Sequence, residues 1–262
     1  MTRRPQNRQS IGARQAQIGH DDAVPTTGSL QRRHCRPAVG GPGHHHAQTG
    51  KIGNDHLADA LVVVDSVSGL AAEKLETDAW GLDCVVTGSQ KGLMNAPGLA
   101  FASVSERAWK AVEASKLPKF NFDYKLIKKS LGDKETPWTP AISIVAGQAA
   151  ALKLLRAEGM ENCWKRHDDL AAHARKLLKD KLGLPFYAKN PANILTGVKL
   201  PESVDGNKLL ADILKEEGIS IAGGQLHLKG RIFRLAHMGY ITKSDIEAGV
   251  AALEKRLAGV KA

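Results

Sequence analysis

An α/β fold with a parallel or mainly parallel sheet, followed by a smaller α+β unit, is predicted by three features of this 262-residue chain. Apolar runs at residues 61–65 and 82–87 are short and end in polar residues, the pattern of strands buried on both faces. Strand-like and helix-like segments then alternate up to about residue 115. Towards the C-terminus the strands become interspersed with amphipathic helices in a mixed order, which reads as a separate, smaller layer.

In chain order, Leu61-Val62-Val63-Val64 forms a first strand that delivers Asp65 at its end. The run Leu82-Asp83-Cys84-Val85-Val86-Thr87 forms a second and delivers Gly88-Ser89-Gln90-Lys91-Gly92-Leu93 to a loop. A third strand covers residues 98–104. Ser105 then supplies an N-cap, with Glu106 in the first turn of a helix running to about Ser115. A short helix is predicted over 120–131. Pro137 and Pro140 punctuate the loop before a long helix over 141–157, and Gly159 separates it from another over 160–182. A strand at 194–200, a helix at 205–217, strands at 219–222 and 231–235, and a helix at 243–257 complete the chain.

The net charge of +10 suggests nucleic-acid binding until it is divided along the chain. Residues 1–50 hold seven arginines against Asp21 and Asp22, so half of the excess lies in a fifth of the length. That segment has no lysine, no aromatic residue and one leucine, Leu30, whereas the remainder holds all 23 lysines and all 12 aromatics. It cannot bury enough apolar surface to offset chain entropy, and we read it as disordered. A basic tail, a targeting segment and a shifted reading frame are three possible origins; the abrupt change in composition favours the last. Nucleic-acid binding rests on charge alone, without a recognition motif or interleaved aromatics, and is not expected. The cluster His44-His45-His46 has no supporting carboxylate or cysteine pattern, so no metal site is expected. Cys35, Cys84 and Cys163 are odd in number and widely spaced, which suits a reducing cytoplasm. No apolar run is long enough to cross a membrane, and no secretory h-region is predicted.

Two adjacent strand ends, one carrying Asp65 and the next Lys91, form the pair that a pyridoxal phosphate site needs. The lysine provides the amine that forms the Schiff base and later moves a proton. The carboxylate keeps the pyridine nitrogen protonated, without which the ring is a poor electron sink. Either residue alone would read as an ordinary surface group; their joint occurrence at strand ends is what carries the reading.

The motifs Asp65-Ser66-Val67-Ser68-Gly69, Trp80-Gly81-Leu82-Asp83, Gly88-Ser89-Gln90-Lys91-Gly92-Leu93 and Arg231-Ile232-Phe233-Arg234-Leu235-Ala236-His237-Met238-Gly239 are similar to those of class-V aminotransferases. The nearest resemblance is to the serine–glyoxylate and alanine–glyoxylate (serine–pyruvate) group, and it covers about residue 60 to the C-terminus. The resemblance implies pyridoxal phosphate and the fold type I architecture: a large domain with a mainly parallel sheet, present here in part, and a small C-terminal α+β domain. It divides the chain into an aberrant head (1–57), the C-terminal part of the large domain with linking helices (58–182) and the small domain (183–262). It also implies a homodimer acting on a small amino acid, serine or alanine, and a 2-oxo acid, glyoxylate or pyruvate. By motif position Lys91 is the Schiff-base lysine, Asp65 the partner of the ring nitrogen, and Val67 packs on the ring face. Gln90 contacts the cofactor phosphate, as does Thr139 from the partner subunit, and Arg234 binds the substrate carboxylate. His237 is expected to be a structural hydrogen-bonding residue, and Cys84 an inert buried thiol. A cysteine desulfurase, also class V, usually has a histidine where this chain has Gln90.

The chain departs from the family pattern in two places. Nothing in residues 1–57 matches the glycine-rich turn that cradles the phosphate; Gly40-Gly41-Pro42-Gly43 lacks a preceding strand and a following helix. After Gly223-Gly224-Gln225, where the family has a small residue, stands Leu226. Weakened cofactor binding is therefore expected, and the rival reading is an inactive remnant that serves as a dimerisation module.

Overall fold

The computed structural model describes residues 60–258 and the backbone of residues 9–14. The fold class is α/β with a C-terminal α+β unit. A first sheet contains β1 (Gln9–Arg14), β2 (Val63–Asp65), β3 (Cys84–Gly88) and β4 (Leu99–Val104) in the spatial order β1-β4-β3-β2. β2 and β3 are parallel, whereas β4 is antiparallel to both β3 and β1. The described sheet is thus mixed, where the apolar runs predict a mainly parallel one. The physical reason is the link after β3: residues 89–98 contain no crossover helix, and so short a connection can only turn back. β1 is a further difference, because it falls in the head expected to lack regular structure; the rest of that head lies outside the described residues.

Helix α1 (Glu106–Ala114) starts where Ser105 Oγ accepts the Ala108 N–H at 3.1 Å, as its N-cap signal predicts. Helix α2 (Tyr124–Gly132) begins later than the predicted 120, because Asp123 Oδ1 accepts from the Lys125 N–H and sets the cap there. Trp109 and Ile127 from these helices are buried against Ala102 and Val104 of β4. Helices α3 (Ile142–Glu158) and α4 (Met160–Leu182) are separated at Gly159, whose φ of +82° breaks the helical path.

The second sheet is antiparallel, with β5 (Leu195–Lys199), β6 (Ala222–Gly223) and β7 (Ile232–Ala236) in the order β5-β7-β6. Helices α5 (Gly206–Glu217) and α6 (Lys243–Leu257) complete this layer; α6 carries a capping box between Thr242 and Asp245. Phe233 and Val198 are fully buried and share one core with Leu170 and Leu178 of α4, Ile213 of α5 and Leu253 of α6. Helix α4 thus packs with the C-terminal sheet although it precedes residue 183. A single 3₁₀ turn, Leu226–Leu228, leads towards β7; Leu226 adopts φ +48° and is 90% exposed.

Buried titratable groups, Asp83 and His237 among them, make the fold acid-sensitive. Asp83 accepts hydrogen bonds from the Val62 N–H and Ser105 Oγ, both at 2.8 Å, and pairs with both Arg107 Nε and Nη2. Chiefly the Arg107 guanidinium holds its pKa at about 2, below the ordinary 3.8. Its contribution is complete above about pH 4 and is lost as the pH falls through 2. His237 is fully buried, and burial lowers its pKa to about 4 from 6.5. The unfolded chain therefore takes up this proton first, and stability falls as the pH drops from 6.5 towards 4. Urea unfolding should show a loss of about 3 kcal/mol between pH 7 and 4, then a further loss of about 2 kcal/mol below it. His237→Gln should shrink the first step and leave the second; equal acid sensitivity in the variant would contradict the assignment.

Candidate active site

The C-terminal ends of β2 and β3 lie side by side because the two strands are parallel and in register, Asp65 opposite Val86. Two contacts extend the ladder past the strand ends: the Ser66 N–H donates to Val86 O at 2.9 Å, and Thr87 Oγ1 donates to Ser66 O at 3.1 Å. Asp65 Oδ1 accepts the Val67 N–H at 2.9 Å, a turn that fixes the carboxylate against its own loop.

The Lys91 loop is tied from within and from two sides. Ser89 Oγ donates to Ala96 O at 2.7 Å and accepts the Leu99 N–H at 3.2 Å, which closes the base of the loop. Gly92 packs so tightly on the turn after β2 that a Cβ there would lie 2.1 Å from Leu70 O, so no other residue fits. On the other side, Asn95 Nδ2 donates to Ile144 O at 2.9 Å and Gln148 Nε2 to Leu93 O at 3.3 Å, both anchors lying on α3.

Asp65, Val67 and Lys91 line one cleft of about 870 Å³, together with Ser66, Ser68 and Gly69. Its far wall is one stripe of α4, formed by Glu161, Trp164, Lys165 and Asp168, together with Asn193. Asn193 is held there from three directions: its N–H donates to Glu73 Oε1 at 2.7 Å, its Nδ2 to Asp168 Oδ1 at 2.6 Å, and its Oδ1 accepts from Arg175 Nη1 at 2.9 Å. Sequence reasoning misses this wall. The spacing of Glu161, Trp164, Lys165 and Asp168 marks one helical face, but nothing local says that the face meets β2.

Gln90, Thr139 and Arg234 do not line this cleft. Gln90 is exposed and folds back over Gly88, where a Cβ would meet its Oε1 at 2.6 Å. Thr139 is exposed in the loop before α3. Arg234 lies within β7, opposite Gly197 and Ala222, and its Nε donates to Gly223 O at 2.8 Å. His237 is fully buried, and its Nε2 lies 3.0 Å from Thr196 Oγ1, in keeping with a structural histidine. Cys84 is half-buried rather than buried, and burial pushes its thiol pKa up. Among the described residues no cluster of metal ligands occurs, and no helix is long and apolar enough to cross a membrane.

A primary amine, a carboxylate and an apolar side chain facing one cleft fit the reactive end of pyridoxal phosphate. Similarity to known proteins points to the same cofactor. The family model for aminotransferase class-V matches residues 45–247, starting ahead of the boundary read at residue 58. A protein named soluble hydrogenase, small subunit, from Synechococcus sp. is 40% identical over 82% of this chain and 58% of its own length. The serine–glyoxylate aminotransferase of Methylorubrum extorquens is 32% identical over 76% of this chain and 51% of its own. The solved structure of alanine–glyoxylate aminotransferase from Nostoc sp. aligns with a TM-score of 0.68 at 30% identity, covering 75% of this chain and 54% of that one. The chain thus spans little more than half the length of these relatives. With the motifs, the cleft and the matched length in agreement, the chain belongs to the class-V aminotransferase family, whose cofactor is pyridoxal phosphate.

Proposed function

We propose that this chain carries the lysine-bearing part of an aminotransferase site that moves an amino group from serine or alanine to glyoxylate or pyruvate. The observation that supports it most is the shared cleft of Asp65 and Lys91, set at the ends of neighbouring parallel strands. Pyridoxal phosphate, when bound, supplies an electron sink for negative charge at the substrate α-carbon. Lys91 Nζ would hold the cofactor and would move the proton at that carbon. Asp65 would keep a proton on the ring nitrogen, and the Val67 N–H bond to its Oδ1 supports this by fixing the carboxylate. Val67 supplies an apolar surface for the ring.

Arg234 is anchored through Nε on Gly223 O, which supports a reading in which its two terminal nitrogens would grip the substrate carboxylate bidentately. Because Arg234 lies outside the cleft lining, this reading has the carboxylate extend from Lys91 towards β7. Gln90 and Thr139 are assigned to the phosphate, Thr139 across a subunit interface; its exposed position before α3 fits that role. The homodimer is supported by exposed apolar side chains on α3, where Ile142 is 72% exposed and Val145 and Leu152 also face outward. We place the chain in the cytoplasm, where its free thiols Cys84 and Cys163 would stay reduced.

Reduction with borohydride in the presence of pyridoxal phosphate should label the peptide containing Lys91, and Lys91→Ala should abolish both the label and transamination while the fold persists. A folded wild-type chain that takes up no cofactor would favour the inactive remnant instead. Arg234→Lys should raise KM for the amino donor roughly 10- to 100-fold, because a point charge replaces the planar fork. An unchanged KM would remove Arg234 from the site.

A further inference from the structure

The Lys91 loop has a third neighbour, and it belongs to the C-terminal unit. Gly239 follows β7 and adopts φ +79°; a Cβ there would lie 3.4 Å from Lys91 O and 3.9 Å from Met94 Cγ. Both polar atoms of Gly239 are gripped by consecutive residues of α4. Its N–H donates to His167 Nε2 at 3.0 Å, and its carbonyl accepts from Arg166 Nη1 at 2.7 Å. Each gripping side chain is itself fixed. Arg166 also forms a two-pronged pair with Glu158 at the end of α3, Nε to Oε1 at 2.6 Å and Nη2 to Oε2 at 3.1 Å. His167 is fully buried, and its Nδ1 lies 2.7 Å from Cys163 O. Only an unprotonated Nε2 can accept the Gly239 N–H, so the ring proton resides on Nδ1 and donates to that carbonyl.

We infer that Arg166 and His167 are positioning residues for Lys91, acting through the Gly239 peptide that they hold against the lysine loop. The other two supports of this loop, the turn after β2 and helix α3, fix Lys91 within its own part of the structure. The Gly239 clamp ties it to the strand that carries Arg234, five positions earlier in the chain. Loss of the clamp would leave Lys91 and Arg234 each intact but free to drift relative to one another. In its catalytic consequence the inference rests on Lys91 being the cofactor lysine; in its structural content it does not.

The experiment therefore reads the lysine itself, in cofactor-free protein. Acetic anhydride labelling across a pH series, quantified by mass spectrometry against exposed Lys153, reports the reactivity of Lys91. His167→Asn keeps a donor for Cys163 O but offers no acceptor to Gly239, and should change the relative reactivity of Lys91 roughly 2- to 30-fold. His167→Gln, whose amide oxygen can reach the Nε2 position, should restore much of the wild-type profile. Asp205→Ala, which breaks the cap of α5 and involves no clamp residue, should leave the profile unchanged and so separates positioning from general loss of stability. Should His167→Asn fail to fold, Arg166→Met decides on the same readout. A folded clamp variant with a wild-type profile overturns the inference. Borohydride labelling away from Lys91, with a profile that still responds to the clamp, would overturn the functional reading and leave the positioning intact.

Discussion

The parallel pairing of β2 with β3 is the constraint on which the site depends. β2 has three residues, too few to fix its own register by ladder bonds alone. The structure adds a fastener at each end. At the start, the Asp83 and Cys84 N–H groups both donate to Val62 O, and the Asp83 carboxylate takes the Val62 N–H in return. At the finish, Ser66 and Thr87 bridge the strands beyond the last pleat. A slip of one residue would turn Asp65 to the opposite face of the sheet and away from Lys91. The pairing of buried Asp83 with the more exposed Arg107 is therefore a register device as much as a source of stability.

Around that pairing, three small interfaces converge on one loop. The turn after β2 meets Gly92, α3 meets Asn95 and Leu93, and the segment after β7 meets Lys91 itself. Ala71, Leu93, Leu155 and Cys163 also form a buried apolar cluster, which packs the turn after β2 and the lysine loop with α3 and α4. The Cys163 thiol is pushed up to about 11, chiefly by burial, so in this cluster it acts as a small apolar side chain. The lysine thus stands on a platform assembled from sequence-distant pieces, although its motif is only a few residues long.

What could be read from the sequence follows this division between local and distant causes. Ser105, Gly159 and the periodicity of residues 243–257 act within a few residues, and the elements they mark are found where expected. The meeting of Asp65 and Lys91 in one cleft was legible because strand-end chemistry is written beside the strand itself, whereas Val67 came only from the resemblance of its motif. The direction of β4 depended on what the intervening loop could span, and β6 formed only at Ala222–Gly223, where β7 offered partners. The α4 wall of the cleft was hidden for the same reason: Trp164 and Asp168 acquire their meaning from Asn193 and the turn after β2, which local pattern cannot place. Arg234 was singled out by its motif, and its seat within β7 matches the strand predicted over 231–235; that it stands outside the cleft lining was not legible.

β2 and β3 differ in one further respect. Among the described strands β3 is flanked on both sides, whereas β2 has a neighbour on one side only, and Val63 is 64% exposed on it. The amine therefore stands on a stiff inner support and the acid on a compliant outer one. Fraying of a short rim strand takes far less free energy than melting the whole domain. On the reading proposed above, grip on an aromatic ring between them would loosen on warming well before the protein as a whole gave way.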